Sequence, residues 1–296
     1  MNFTPSPAPT VELTDEIIQQ AGVKLFVKRL DLIHPFISGN KWFKLKYNLE
    51  KAKAENYTSV LTYGGAYSNH IAATAAAAKL SGFNSIGIIR GEKPAKINPV
   101  LEFASEQGMK LVFVSREDYR NKDNADFLNE LKVKFDNPFV IPEGGANAEG
   151  IKGCSEILSA RDKEFDYIFC ACGTATTFAG LILSCKNSNS QLKGVSILKG
   201  AFFLSDNVSK FISGFDNSDD YKNREIIHNY HFGGYAKSTH ELKSFINNFI
   251  SIHNFIIEPV YTGKVFIAVY DLLKNNYFAP GSQILVIHTG GFNKPY

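Results

Sequence analysis

Short apolar runs of β type alternate with segments of helical period along nearly the whole chain. TSVLTY at 58–63, SIGIIR at 85–90, KLVFVS at 110–115 and FVIP at 139–142 predict buried parallel strands. Between them, the alanine-rich stretch 70–81, NPVLEFASEQ at 98–107 and NADFLNELKVKF at 124–135 predict helices. A second series follows, with strands at DYIFCAC, GVSILKG and EIIHNYHF and helices near 177–185, 205–213 and 239–252. A helix near 264–274 and the strand QILVIH at 283–288 close it. Such alternation implies βα units around parallel sheets, and two series imply two α/β lobes with a ligand cleft between them. The polar stretch DNSDDYKNRE at 216–225 predicts an exposed loop.

Composition narrows the class. With 44% hydrophobic and 21% charged residues over 296 positions, the chain is neither disordered, collagen-like nor a coiled coil. A net charge of +3 is too small to argue for nucleic acid or an anionic membrane as partner. IAATAAAA at 71–78 is too short to span a bilayer. MNFTPSPAPT lacks the basic start and apolar run of a signal peptide, so a cytoplasmic location is expected. Four cysteines, at 154, 170, 172 and 185, suit reduced thiols. The C-x-C of YIFCAC has no second pair at zinc-finger spacing, and His228 and His231 in a strand-like run would face opposite sides, so no metal is expected.

Several segments could carry chemistry. Ser38-Gly39-Asn40-Lys41 precedes a helical stripe of Trp42, Leu45, Leu49 and Ala52, which makes Asn40 the expected N-cap and puts Lys41 in the first turn. The helix dipole disfavours a cation there, so Lys41 reads either as an amine tuned for attack on a carbonyl or as a solvated surface lysine. In Tyr63-Gly64-Gly65-Ala66-Tyr67-Ser68-Asn69-His70, Ser68 or Asn69 reads as a helix cap or as a cleft donor, and His70 as ordinary helix surface. Glu143-Gly144-Gly145-Ala146-Asn147 repeats that strand–glycine–helix logic. Gly173-Thr174-Ala175-Thr176-Thr177, after YIFCAC, offers hydroxyl and backbone donors to a phosphate, although it is neither G-x-G-x-x-G nor a P-loop. Tyr235 and Tyr261 flank glycine turns and read as acid/base groups or as core aromatics.

The ordered set SGNKWFKLKYNL, GGAYSNH, IPEGGANAEG, the Gly/Thr loop, PVYTGK and HTGG closely resembles one family. It is that of the pyridoxal-phosphate enzymes of the tryptophan-synthase-β fold (fold type II), in the 1-aminocyclopropane-1-carboxylate deaminase/D-cysteine desulfhydrase branch. The resemblance runs from about residue 24 to the C-terminus. It implies an α/β, two-lobed, three-layer αβα fold with parallel-rich sheets. A large cofactor-binding domain of 1–46 and 155–296 and a small domain of 47–154 go with it. It further implies pyridoxal 5'-phosphate, a small amino-acid substrate and a homodimer.

Carried over by position, Lys41 matches the lysine that holds the cofactor as a Schiff base and moves protons at the substrate Cα. Ser68 matches the serine on the substrate carboxylate, and Asn69 the asparagine on the cofactor's 3-hydroxyl. Gly173, Thr174, Ala175, Thr176 and Thr177 match the phosphate cradle, usually richer in Ser and Gly. Tyr235 and Tyr261 match two active-site tyrosines, and Thr262 or Thr289 would lie near the pyridine nitrogen. A hydroxyl there makes the cofactor a weaker electron sink than a carboxylate would, which favours β-elimination over transamination. Deaminase members usually carry Glu after the second tyrosine and Gln after Ser-Asn. Thr262 and His70 stand there instead, tilting the expectation from cyclopropane opening towards D-cysteine desulfhydrase-like elimination to a 2-oxo acid and ammonia. The altered phosphate loop and the few residues beyond HTGG leave a cofactor-binding protein without useful turnover as a third reading.

Overall fold

The computed structural model describes residues 5–216 and 223–291. In chain order its elements begin β1 (Thr10–Leu13), α1 (Glu16–Gln20), β2 (Lys24–Arg29), α2 (Asn40–Ala54), β3 (Ser59–Gly65), α3 (Asn69–Ser81) and β4 (Asn84–Arg90). Then come α4 (Pro99–Glu106), β5 (Met109–Val114), α5 (Ala125–Lys134), β6 (Phe139–Ile141), α6 (Ala148–Cys154), β7 (Tyr167–Cys172) and α7 (Thr176–Ser184). The chain ends with β8 (Gln191–Ser196), α8 (Phe203–Ser213), β9 (Arg224–Ile227), α9 (His240–His253), α10 (Thr262–Lys274) and β10 (Gln283–His288).

Two sheets result. One has the order β1-β2-β10-β7-β8-β9, the other β5-β4-β3-β6. Among the described residues only β1 runs antiparallel to its neighbour, and every other pairing is parallel. The period of two along each strand makes three layers. Phe169 and Ala171 of β7 join Val286 of β10 in a core with α9 and α10, whereas Cys170, Cys172 and Leu285 face α7 and α8. In the smaller sheet Val60 and Ile141 turn towards α2 and α3, and Leu61 and Ile88 towards α5. The α/β, three-layer expectation holds.

Glycines let the helices that carry the site lie backbone against backbone. A Cβ on Gly153 of α6 would sit 1.9 Å from the Phe43 carbonyl oxygen of α2, and one on Gly180 of α7 2.4 Å from Cys154 Cβ. Gly39, at φ +67, does the same at the sheet edge, where its Cβ would meet the Thr289 carbonyl oxygen at 1.8 Å. That carbonyl accepts the Asn40 N–H at 3.1 Å, tying the end of β10 to the start of α2.

Some expectations need correction. β1, α1 and β2 were not anticipated, because KLFVKR has basic residues at both ends and TVEL is an exposed edge strand. EIIHNYHF is a strand only to Ile227, since its neighbour among the described residues, β8, pairs with Arg224–Ile227 and no further. His228 and His231 therefore lie beyond the strand, and the opposite-face argument does not apply to them; among the described residues no group of three metal-binding side chains occurs. All four cysteines are free and buried. Most of the expected 216–225 loop, 217–222, lies outside the described residues, and Arg224 already belongs to β9. Among the described residues no helix is long and apolar enough to cross a membrane.

Candidate active site

The carboxyl ends of the parallel strands from both sheets open onto one cavity of about 390 Å³. Gly65, Ser68, Asn69 and His70 reach it from β3 and α3, Arg90 from β4, and Glu143 and Gly144 from the end of β6. Gly173, Thr174, Ala175 and Thr177 enter after β7, Thr289 after β10, and Tyr235 and Tyr261 close the far wall. Asn40, Lys41 and Lys44 come from the first turns of α2.

Asn40 departs from its expected role. Gly39 is the N-cap of α2 and makes no side-chain cap bond, while Asn40 is the first helical residue. Its amide Nδ2 donates to Thr177 Oγ1 at 2.8 Å and its Oδ1 accepts from Lys41 Nζ at 2.7 Å. The amide is thus committed across the cavity and cannot fold back on the helix. Lys41 Nζ also stands 5.8 Å from the Tyr261 ring centroid. Burial, then the neighbouring Lys44 cation, lower the Lys41 ammonium to about 7, so much of it is a neutral amine near pH 7.

Lys44 was missed by the sequence reading. It lies three residues after Lys41, hence on the same helix face. It is buried, its Nζ 3.4 Å from Thr174 Oγ1, and it has no ion pair among the described residues. The Lys-x-x-Lys spacing was the available signal. Beside it, Thr174 and Thr176 share a hydroxyl bond at 2.9 Å, and Ala175 turns the chain into α7 at φ 64 without capping it by a side chain. A left-handed alanine is held there by its surroundings.

Ser68 occupies the N-cap position of α3, yet its hydroxyl makes no cap bond. Asn69 Oδ1 is buried without a partner. His70 is no surface residue: it is 2% exposed, and its Nε2 pairs with Thr62 Oγ1 at 2.9 Å. Burial, reinforced by Lys41 and Lys44, holds its pKa well below the usual imidazole range, so it is neutral. The Tyr235 and Tyr261 rings pack edge-on, centroids 6.2 Å apart, and burial pushes both hydroxyls upward, keeping them protonated.

Thr176 and Thr262 are buried but do not line the cavity. Thr262 turns to Glu258, a second residue the sequence reading missed. The Glu258 carboxylate accepts the N–H groups of Val260, Tyr261 and Thr262 at 2.7, 2.9 and 2.8 Å, and the Thr262 hydroxyl at 3.2 Å. It caps α10 and fixes Tyr261; an acid four residues ahead of a helix start was its faint signal.

A family model described as pyridoxal-phosphate dependent enzyme matches residues 3–290. This chain belongs to the pyridoxal-phosphate dependent enzymes. A Pyrococcus horikoshii protein provisionally named 1-aminocyclopropane-1-carboxylate deaminase is 31% identical over 96% of this chain and 89% of its own length. An Arabidopsis thaliana protein is named as a mitochondrial bifunctional D-cysteine desulfhydrase/1-aminocyclopropane-1-carboxylate deaminase. It is 32% identical over 91% of this chain and 73% of its own. A crystal structure of an ACC deaminase homologue matches with a TM-score of 0.84 and 30% identity, over 97% of this chain and 90% of that one.

The cavity of this pyridoxal-phosphate dependent enzyme suits its cofactor. The buried amine of Lys44, which has no ion pair among the described residues and whose charge burial disfavours, beside an uncapped helix start suits an anionic group. The orphaned Asn69 Oδ1 asks for a hydroxyl donor, and Lys41 offers the amine an aldehyde needs.

Proposed function

We propose that this pyridoxal-phosphate dependent enzyme releases ammonia and a 2-oxo acid from a small amino acid by β-elimination, with D-cysteine or a similar β-substituted D-amino acid as substrate. The observation that carries the reading is the lowered amine of Lys41, held by Asn40 beside two protonated tyrosines in one cavity. In this reading Lys44, Thr174, Thr177 and the backbone of Gly173 and Ala175 hold the cofactor phosphate, and Thr176 acts through its hydroxyl bond to Thr174. Asn69 takes its 3-hydroxyl and Thr289 its pyridine nitrogen, while Thr262 acts only through Glu258.

Bound there, pyridoxal phosphate withdraws electrons from the substrate α-carbon. The Ser68 hydroxyl and the start of α3 bind the substrate carboxylate. Lys41 Nζ, a substantial part of it neutral near pH 7, takes the Cα proton. Tyr235 or Tyr261, each protonated, supplies a proton to the departing sulfur, and solvent water completes release of pyruvate and ammonia. Neutral His70 fills the wall beside Asn69 without adding charge.

A second reading, 1-aminocyclopropane-1-carboxylate deaminase, is favoured by the names of the Pyrococcus and Arabidopsis relatives. It is weakened by the Thr262 hydroxyl, which is bound to Glu258 and stands where deaminase members carry a carboxylate. The reading also carries a cytoplasmic homodimer and the division into 1–46 with 155–296 and 47–154. The four-stranded sheet falls within 47–154, although α2 runs through the first boundary.

Purified holoenzyme incubated side by side with D-cysteine and 1-aminocyclopropane-1-carboxylate tests this. Pyruvate and sulfide from D-cysteine alone are expected; 2-oxobutanoate from the cyclopropane alone overturns the substrate assignment. Loss of neither substrate, with cofactor absorbance undisturbed by a D- and L-amino-acid panel, overturns the enzyme reading.

A further inference from the structure

Lys264 is 0% exposed, although it sits in the first turn of α10, where the helix dipole opposes a cation. No carboxylate forms an ion pair with it among the described residues. Its Nζ instead donates to three backbone carbonyls, those of Gly234 at 2.7 Å, His231 at 2.8 Å and Ile197 at 3.4 Å. An ammonium has three donors, so its bonding capacity is filled. Burial lowers it to about 8.

All three acceptors bear on the active cavity. Ile197 follows β8 and lines the wall. His231 and Gly234 are the ends of the turn that delivers Tyr235, closed on itself through His231 alone, whose carbonyl accepts Gly234 N–H at 2.9 Å and whose Nδ1 accepts Gly233 N–H at 3.0 Å among the described residues. The backbone there is unusual: Phe232 at φ 47 and Ala236 at φ 55 bracket Gly233 and Gly234 at φ 92 and 111. Two non-glycine residues in the left-handed region cost energy and persist only where surrounding contacts over-determine them.

We propose that Lys264 is a positioning residue for Tyr235: its side chain clamps the 231–234 turn onto the first turn of α10 and thereby sets the spacing of Tyr235 and Tyr261. Tyr261 stands at the N-cap of the same helix, so one lysine registers both rings, 6.2 Å apart, against each other. A methionine of similar length fills the space and removes every donor. The inference rests on Tyr235 belonging to the active site, as in the proposed function.

The test compares holoenzyme carrying Lys264→Met, Tyr235→Phe and both. Lys264→Met is expected to lower kcat roughly 10- to 100-fold, as a displacement of about 1 Å at a catalytic group does, with the cofactor dissociation constant changed by no more than about twofold. The double variant is expected to be no slower than the slower single one, because both changes act through one hydroxyl. Hydrogen–deuterium exchange of unliganded holoenzyme is expected to quicken at 231–237 and nowhere in α2 or α7. Multiplicative losses in the double variant, or unchanged exchange at 231–237, overturn the clamp. Should Tyr235→Phe itself turn over like the parent, the proton comes from Tyr261 and the inference falls, while the proposed function stands. An impaired Tyr235→Phe beside an unimpaired Lys264→Met overturns the clamp alone. If Lys264→Met does not fold, Gly234→Ala loosens the same turn from the other side. It is expected to reproduce the kcat loss and the quickened exchange, and a parental kcat there overturns the proposal.

Discussion

Asn40 Oδ1 accepts a hydrogen bond from Lys41 Nζ at 2.7 Å, so the residue expected to cap α2 instead aims the amine beside it. The neighbour is a neutral amide, which orients Lys41 without raising its affinity for a proton as a carboxylate would. Asn40→Asp is expected to raise the Lys41 pKa from about 7 and to move the acid limb of the kcat–pH profile to higher pH, since Lys41 is a free amine in the substrate complex. A profile superimposable on the parent's would show that Asn40 does not govern the amine.

Lys44 stands between the threonine loop and Lys41, and two effects should separate on its removal. Lys44→Met is expected to weaken cofactor binding by about 100-fold, the scale of a lost charge-assisted hydrogen bond in a buried site. It should also raise the Lys41 pKa, because the Lys44 cation is one of the causes holding it down. Cofactor titration of the apoprotein measures the first effect, and the pH dependence of kcat the second.

In the cofactor-free protein Lys41 contributes stability that grows as pH rises above 7. Lys41 titrates at about 7 when folded against its ordinary 10.5, so between those values the unfolded chain holds the extra proton. The stabilisation is present above the unfolded value and is lost as pH falls through the folded one. Relative to the parent, Lys41→Met is expected to have a less positive slope of melting temperature against pH between pH 7 and pH 10. An equal slope in both proteins would assign it to other groups.

Gly153→Ala tests the helix contact beneath the site. Its new Cβ would lie 1.9 Å from the Phe43 carbonyl oxygen, a clash of backbone with backbone that no rotamer relieves. Separating α6 from α2 is expected to cost about 3 kcal/mol, read as a lower denaturant midpoint at unchanged slope. The same change should lower cofactor affinity, since α2 carries both Lys41 and Lys44.

His70 and Glu258 mark where sequence reading stops. His70 follows Asn69 in a helix of small residues, and nothing local distinguishes an exposed histidine from one sealed against Thr62; the strand beneath decides. Glu258 lies in the loop between α9 and α10, and its three backbone partners converge on it only once that loop has folded. Lys44 was nearer to legible, since helical spacing alone aligns it with Lys41, but its burial comes from α6 and the threonine loop.

The sequence by itself determined the parallel α/β architecture, because apolar runs buried on both faces and separated by helical periods pack in few other ways. It also determined the ordered motifs that gather at the strand ends, since short glycine-bearing turns between strand and helix must fall on one edge of a sheet. Tertiary structure alone decided the chemistry of those groups. Removal from water and the proximity of Lys44 turn Lys41 into an amine, the Glu258 carboxylate draws Thr262 out of the cavity, and three distant carbonyls make a buried cation of Lys264. Each of these depends on atoms far apart in the chain, and electrostatics acts on distance in space, not on spacing in sequence.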